Sequence, residues 1–343
     1  MSGRVLRLVC TTVLATQVVL TPSAAVGVPE PAERPVAELL TELQRLYREA
    51  ESATEAYNAT EVRLKARQTE LSRLDGELVR ARLALDDSRD TAGRLARQQY
   101  QSRTDISPYV RLLLAKDPQH ALDEGHIIGQ LARDRASATT RLAQDEHRRA
   151  ALSRAARTAL DAQLALTAAK KKARDDVRKR LDDVQKLLVS LTPEQLTRLA
   201  RLEQTQVDQR QKEFMSATGL PETDTPAPPR ARQAVRHALD QVGKPYETGS
   251  AGPDSYDNSG LAAGSWSRAG ARIPRTAKEQ WTRLPRVPLK ELRPGDLVVY
   301  HPEATHVAVY VGKGRVVQAP GPGGRVRITP IATDPVLGAV RPT

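Results

Sequence analysis

The chain has 343 residues and a net charge of +12, yet aromatic residues make up only 3% of it and Phe214 is the sole phenylalanine. So few aromatics exclude one large globular core, while the Ala, Leu, Arg, Gln and Glu/Asp of the middle region suit long helices. The expectation is one compact domain and one extended helical part. The basic excess suits polyanions, nucleic acid or anionic wall polymers among them. No stacking aromatics or nucleic-acid fold signature accompany the charge, so nucleic acid is set aside.

Residues 1–25 read as a signal peptide. Arg4 and Arg7 precede an apolar stretch from Leu8 to Leu20, followed by the small-residue site Ser23-Ala24-Ala25. The apolar run is too short for a membrane anchor, and the reading is export with no anchor after cleavage. Cys10, the only cysteine, sits inside that run. The processed chain is then expected to hold no disulfide, no cysteine ligand and no thiol nucleophile.

A Pro/Glu segment leads into a heptad-like region, assigned to residues 36–214 as an antiparallel coiled-coil hairpin. Leu39, Leu43, Leu46, Ala50, Ala53, Tyr57, Leu64, Leu71, Leu74, Leu78 and Leu85 recur at steps of three and four along the first arm. Ser107-Pro108 starts a short apolar helix at the elbow. The second arm opens at Asp117-Pro118 and runs to Leu188, with Ile127, Ile128, Leu131, Leu142, Leu152 and Leu160 on its seam. Thr192-Pro193-Glu194-Gln195 predicts a capping box at the start of one further helix. His120, His126 and His147 have no ligand-like spacing, and no metal or cofactor is expected. Residues 215–230 read as a Pro/Thr-rich linker.

From 231 to 343 the pattern changes to α+β, with a helix over Arg232–Val242 and strands over 296–300, 307–311 and 315–318. The segment Asp254-Ser-Tyr-Asp-Asn-Ser-Gly-Leu261 ends a loop and opens a helix at Asp257, with Leu261 and Trp266 on its buried side. Such a helix start lowers a thiol pKa and suits a cysteine nucleophile. A histidine, His306, enters from one strand and a polar residue, Gln318, from the next, so antiparallel neighbours could align an imidazole with its orienting group. Asp257 could equally cap the helix, Arg275 could make a surface ion pair, and Trp266 and Trp281 read as core.

Six segments in order resemble the NlpC/p60 family of papain-like cell-wall cysteine peptidases: GKPY (243–246), GPDSYDNSGL (252–261), PRT (274–276) with Gln280, LRPGDLVVY (292–300), HVAVYVGKG (306–314) and QAPGPGGRV (318–326). The resemblance implies a papain-like fold and cleavage of peptidoglycan stem peptides between D-isoglutamate and the diamino acid. By position, it places the nucleophile at Asn258, the base at His306 and the orienting residue at Gln318. Tyr246, Asp257, Ser259 and Arg275 match positions that shape the stem-peptide site. Thr248-Gly249 and Ala308 depart from the family's usual residues.

An asparagine amide is no nucleophile, because its nitrogen lone pair is delocalised. Ser259 stands about 100° further round the helix and should point away from His306. The reading is a secreted wall protein with a catalytically inactive peptidase domain. It would bind stem peptides or anionic wall polymers, or regulate and scaffold an active wall hydrolase. Two alternatives stand beside it: an active endopeptidase with a non-cysteine nucleophile, and a structural coiled coil with an inert C-terminal domain.

Overall fold

A computed structural model describes residues 35–101, 110, 118–220 and 226–343. The signal-peptide reading, the elbow helix after Ser107 apart from residue 110, and residues 221–225 of the expected linker lie outside these. Helix α1 spans Val36–Gln101 and α2 spans Pro118–Val189, close to the expected arms. The described residues form two compact units, one from those up to position 62 together with those from 170 onward, the other from those between 63 and 169. The base of the hairpin therefore groups with the C-terminal domain rather than with the rest of the coiled coil.

In the second unit, Leu74 packs on Ala156 and Ala159, with Leu71 and Leu152 alongside. Ser88 hydrogen-bonds Asp145 across the pair, so the arms run antiparallel as expected. Two seam assignments are corrected: Ile127 is 58% and Leu160 44% exposed. The seam steps from 152 to 156 to 159, and Leu160 sits about 100° round from Ala159, on the outer face. His126 and His147 are exposed.

In the first unit, Leu39, Leu40, Leu43 and Leu46 of α1 pack with Val184 of α2 and Leu199 of the next helix. That helix, α3, spans Pro193–Thr218 and opens with the expected reciprocal cap between Thr192 and Gln195. It continues past position 215 and ends at Gly219, whose φ of 59° lies in the left-handed region that suits glycine. The next helix, α4, begins at Pro229, so both ends of the expected linker are helical. It precedes the expected Arg232 start because a proline at the first turn needs no N–H partner.

The C-terminal domain adds α5 (Asn258–Arg268) and α6 (Ala277–Arg283). Its six strands are β1 (Arg286–Val287), β2 (Leu297–Tyr300), β3 (His306–Gly312), β4 (Arg315–Gln318), β5 (Arg327–Pro330) and β6 (Val336–Val340). They form one antiparallel sheet in the order β1-β6-β2-β3-β4-β5. Alternate residues supply two cores. Leu297, Val299, Val307, Val309 and Val317 meet Ala231, Ala234, Ala238, Leu261 and Trp266. Val298, Tyr300, Ala308, Tyr310 and Val316 meet Leu220 and Ile331, with Phe214 and Met215 of α3 against them. Both sheet faces are covered, which is why these strands read as nearly continuous apolar runs. Trp266 is core, as expected, and its indole Nε1 donates to the Gly295 carbonyl at 3.1 Å.

Candidate functional site

Asn258 is the first residue of α5, and Asp257 before it caps the helix by accepting from the Gly260 N–H at 2.6 Å. The helix start is pressed against the preceding loop: a Cβ on Gly260 would lie 2.1 Å from the Ser250 carbonyl oxygen. Gly260→Ala should therefore destabilise the chain by about 1–3 kcal/mol despite alanine's better helix propensity, because the opposing atom is backbone and cannot rotate away. Chemical denaturation followed by circular dichroism checks this. An unchanged midpoint would mean that the loop yields freely.

The three positions expected to form a triad come together. Asn258 Nδ2 donates to the Thr305 carbonyl at 3.2 Å and stands 3.2 Å from His306 Nδ1, while its Oδ1 accepts from the Ser259 N–H. His306 Nε2 lies 2.5 Å from Gln318 Oε1, and Gln318 Nε2 donates to Thr329 Oγ1 at 2.7 Å. The Tyr300 ring, opposite His306 in the sheet register, meets the imidazole at a steep angle of 64°. All three site residues are buried.

Ser259 does face elsewhere. Its hydroxyl accepts from Arg275 Nη1 at 3.0 Å and donates to Asp257 Oδ1 at 3.3 Å. Arg275 makes no surface pair: its Nη1 and Nη2 reach the two oxygens of the fully buried Asp257 at 3.0 and 2.7 Å. Gln280 donates to the carbonyls of Ser259 and Pro274, tying α6 to α5. Tyr246 is buried beside Thr54 and Thr248, and burial, with the charge of Asp257, raises its hydroxyl pKa.

What the sequence did not reveal is that α1 fills this groove with polar side chains. Glu51 Oε1 lies 3.1 Å from His306 Nδ1, and Glu51 Oε2 lies 3.6 Å from His301 Nε2. Glu55 accepts from the N–H groups of Ala277 and Lys278 at the start of α6. Burial raises the Glu55 pKa, and those two hydrogen bonds oppose the shift. Asn58 Nδ2 donates to Asp257 Oδ2 at 3.0 Å, and Tyr57 lies over Gly249, where a Cβ would come within 2.9 Å of its ring. Glu51, Thr54, Glu55 and Asn58 are all buried. Their spacing puts them on one helix face beside the Ala50/Ala53 seam. The pattern resembles any solvated polar face, so the only available signal was its unbroken alignment.

Arranged this way, the site can hold and orient a proton on His306, and the side chain that faces His306 Nδ1 from the start of α5 is the Asn258 amide. Among the described residues there is no cluster of metal ligands and no helix long and apolar enough to cross a membrane.

Residues 243–338 match the NlpC/P60 family. The chain is 37% identical over 94 residues to a probable endopeptidase of Corynebacterium glutamicum, covering 27% of this chain and 45% of that protein. It is 37% identical over 109 residues to the murein DD-endopeptidase MepH of Escherichia coli, covering 29% and 40%. It is 31% identical over 113 residues to the peptidoglycan endopeptidase RipA of Mycobacterium tuberculosis, covering 29% and 24%. The chain thus spans less than half the length of these relatives. Among solved structures, NlpC1 of Trichomonas vaginalis matches at 27% identity and a TM-score of 0.32, over 35% of this chain and 46% of that one. RipD of M. tuberculosis, described as a non-catalytic NlpC/p60 domain protein adapted to peptidoglycan binding, matches at 26% identity and a TM-score of 0.30, over 34% and 98%. The C-terminal part of the chain, over residues 243–338, is an NlpC/P60 domain.

Proposed function

We propose that this chain is a secreted, wall-associated protein whose NlpC/P60 domain has lost peptidase activity and keeps its groove for binding or regulation. The observation that carries the reading is Asn258 at the start of α5, 3.2 Å from the histidine that would serve as base. An amide there has no lone pair basic enough to attack a peptide carbonyl. Residues 35–343 contain no cysteine to replace it, and Ser259 is engaged with Arg275 and Asp257.

The match of residues 243–338 to the NlpC/P60 family, and relatives named as peptidoglycan and murein endopeptidases, support the wall as the setting. The ligand would be a stem peptide or an anionic wall polymer, and the partner an active wall hydrolase. Incubating the purified chain with muropeptides, and searching for new free amino termini by mass spectrometry, is expected to yield none. Cleavage abolished by His306→Ala would overturn the reading. Sedimentation with purified peptidoglycan is expected to show binding, and its absence would remove the ligand half of the proposal.

A further inference from the structure

Both ring nitrogens of the buried His306 face acceptor oxygens: Nδ1 is 3.1 Å from Glu51 Oε1, and Nε2 is 2.5 Å from Gln318 Oε1. Gln318 Nε2 is turned to Thr329 Oγ1, which leaves Oε1 as the amide atom that faces the ring. A neutral imidazole carries one N–H and satisfies only one of these oxygens; the doubly protonated ring satisfies both. A buried imidazolium needs a negative partner. Asn258 is neutral and cannot supply one, whereas Glu51 of α1 can.

We propose that Glu51 is the counter-ion of His306, standing in for an absent thiolate, and that α1 is clasped in the groove until His306 loses its proton. The proposal rests on the reading of the groove as one that does not cleave, and concerns its regulation. Two arrangements of the same residues alternate. In the clasped one, Nδ1–H donates to Glu51 and His301 stands by the second carboxylate oxygen. In the released one, Nδ1 is unprotonated and accepts from Asn258 Nδ2, already 3.2 Å away and held by the Thr305 carbonyl. The Glu51 carboxylate would then face a lone pair, and its hold is lost.

The charged and titratable groups around the pair agree with this. Burial lowers the pKa of His306, but the charge and hydrogen bond of Glu51, with Asp334 and Gln318 assisting, outweigh it and raise it above the ordinary 6.5. Tyr300 and Tyr246 are neutral neighbours whose pKa values burial raises. Asp257 is neutralised by Arg275, and Glu55 is held by two backbone N–H groups. A raised imidazole pKa means the clasp contributes fully below the ordinary value and is lost as pH rises through the raised one. The closed face is also imperfectly satisfied: Asn58 Oδ1 is buried without a hydrogen bond, which favours release.

The test is the imidazole titration of the nitrogen-15-labelled full chain by NMR, which reads protonation and tautomer directly. His306 is expected to stay doubly protonated above the ordinary value, and its midpoint should fall by about one pH unit or more in Glu51→Gln. Hydrogen exchange of residues 47–58 at neutral pH should quicken in Glu51→Gln and in His306→Gln, each compared with the wild type at the same pH. A His306 midpoint at or below the ordinary value, or one unmoved by Glu51→Gln, overturns the proposal. So does unchanged exchange in both variants. Muropeptide cleavage by the wild type would instead defeat the functional reading while leaving the titration result standing.

Discussion

The double variant Asn258→Cys, Glu51→Gln should cleave muropeptides that the wild type leaves intact, with a gain of roughly three or more powers of ten over the wild-type background. The scaffold for such chemistry is in place. Position 258 opens α5, where the helix dipole and the Ser259 N–H, now bound by the Asn258 amide, would stabilise a thiolate, and it faces His306 Nδ1. Gln318 already orients the imidazole through Nε2. Asn258→Cys alone should recover far less, because Glu51 occupies the same ring nitrogen and α1 covers the groove. A new thiolate and Glu51 would compete for one imidazolium, and the carboxylate is already seated. Product release followed by mass spectrometry across wild type, both singles and the double checks this. Equal activity in Asn258→Cys and the double would show that Glu51 does not guard the histidine. Inactivity of a folded double would show that a thiol at position 258 does not suffice for cleavage.

The elements of the C-terminal domain were legible because each rests on a local signal. The helix start at Asp257 and the strand placement of His306 and Gln318 each follow from a few adjacent residues, as does the capping box at Thr192 ahead of the domain. So does the burial of Trp266. The seam of α1 was also readable, since apolar spacing fixes which face meets a partner. Leu160 misled because leucine was preferred over the smaller Ala156 and Ala159, which let the helices approach closely. The filling of the groove was not legible at all. Glu51, Glu55 and Asn58 meet residues some 200 positions away, and polar side chains at helical spacing say nothing about what they meet. His301 carries no sequence cue either, being placed by the turn after β2, where its φ is 61°. Local order is written in neighbouring residues; a polar contact between distant segments is written only in their complementarity.

Asp257→Asn should be the most damaging conservative change in the domain, lowering stability by about 3–5 kcal/mol. The carboxylate is fully buried, and its two oxygens receive six donors: Gly260 N–H, the Ser259 hydroxyl and Arg275 Nη1 on Oδ1, and Gly249 N–H, Asn58 Nδ2 and Arg275 Nη2 on Oδ2. A carboxylate has about four lone-pair sites, so none is left for a ligand. Asp257 thus holds α5, the 249–250 loop and Arg275 together. An amide there turns one acceptor into a donor facing donors, and it leaves the guanidinium, 24% exposed, without its counter-charge. Arg275→Met combined with Asp257→Asn should cost less than the two single changes added, because the second change removes a charge the first left unpaired. A surface pair offers the contrast. Arg45→Ala, which breaks the exposed pair with Glu49, should alter stability by no more than about 0.5 kcal/mol and should matter less still in high salt. The Asp257 effect should persist in salt, since burial shields the pair from screening ions. Thermal unfolding of the four variants at low and high ionic strength decides the matter. A small, salt-sensitive loss in Asp257→Asn would mean that water already reaches the carboxylate and that the groove floor is open rather than locked.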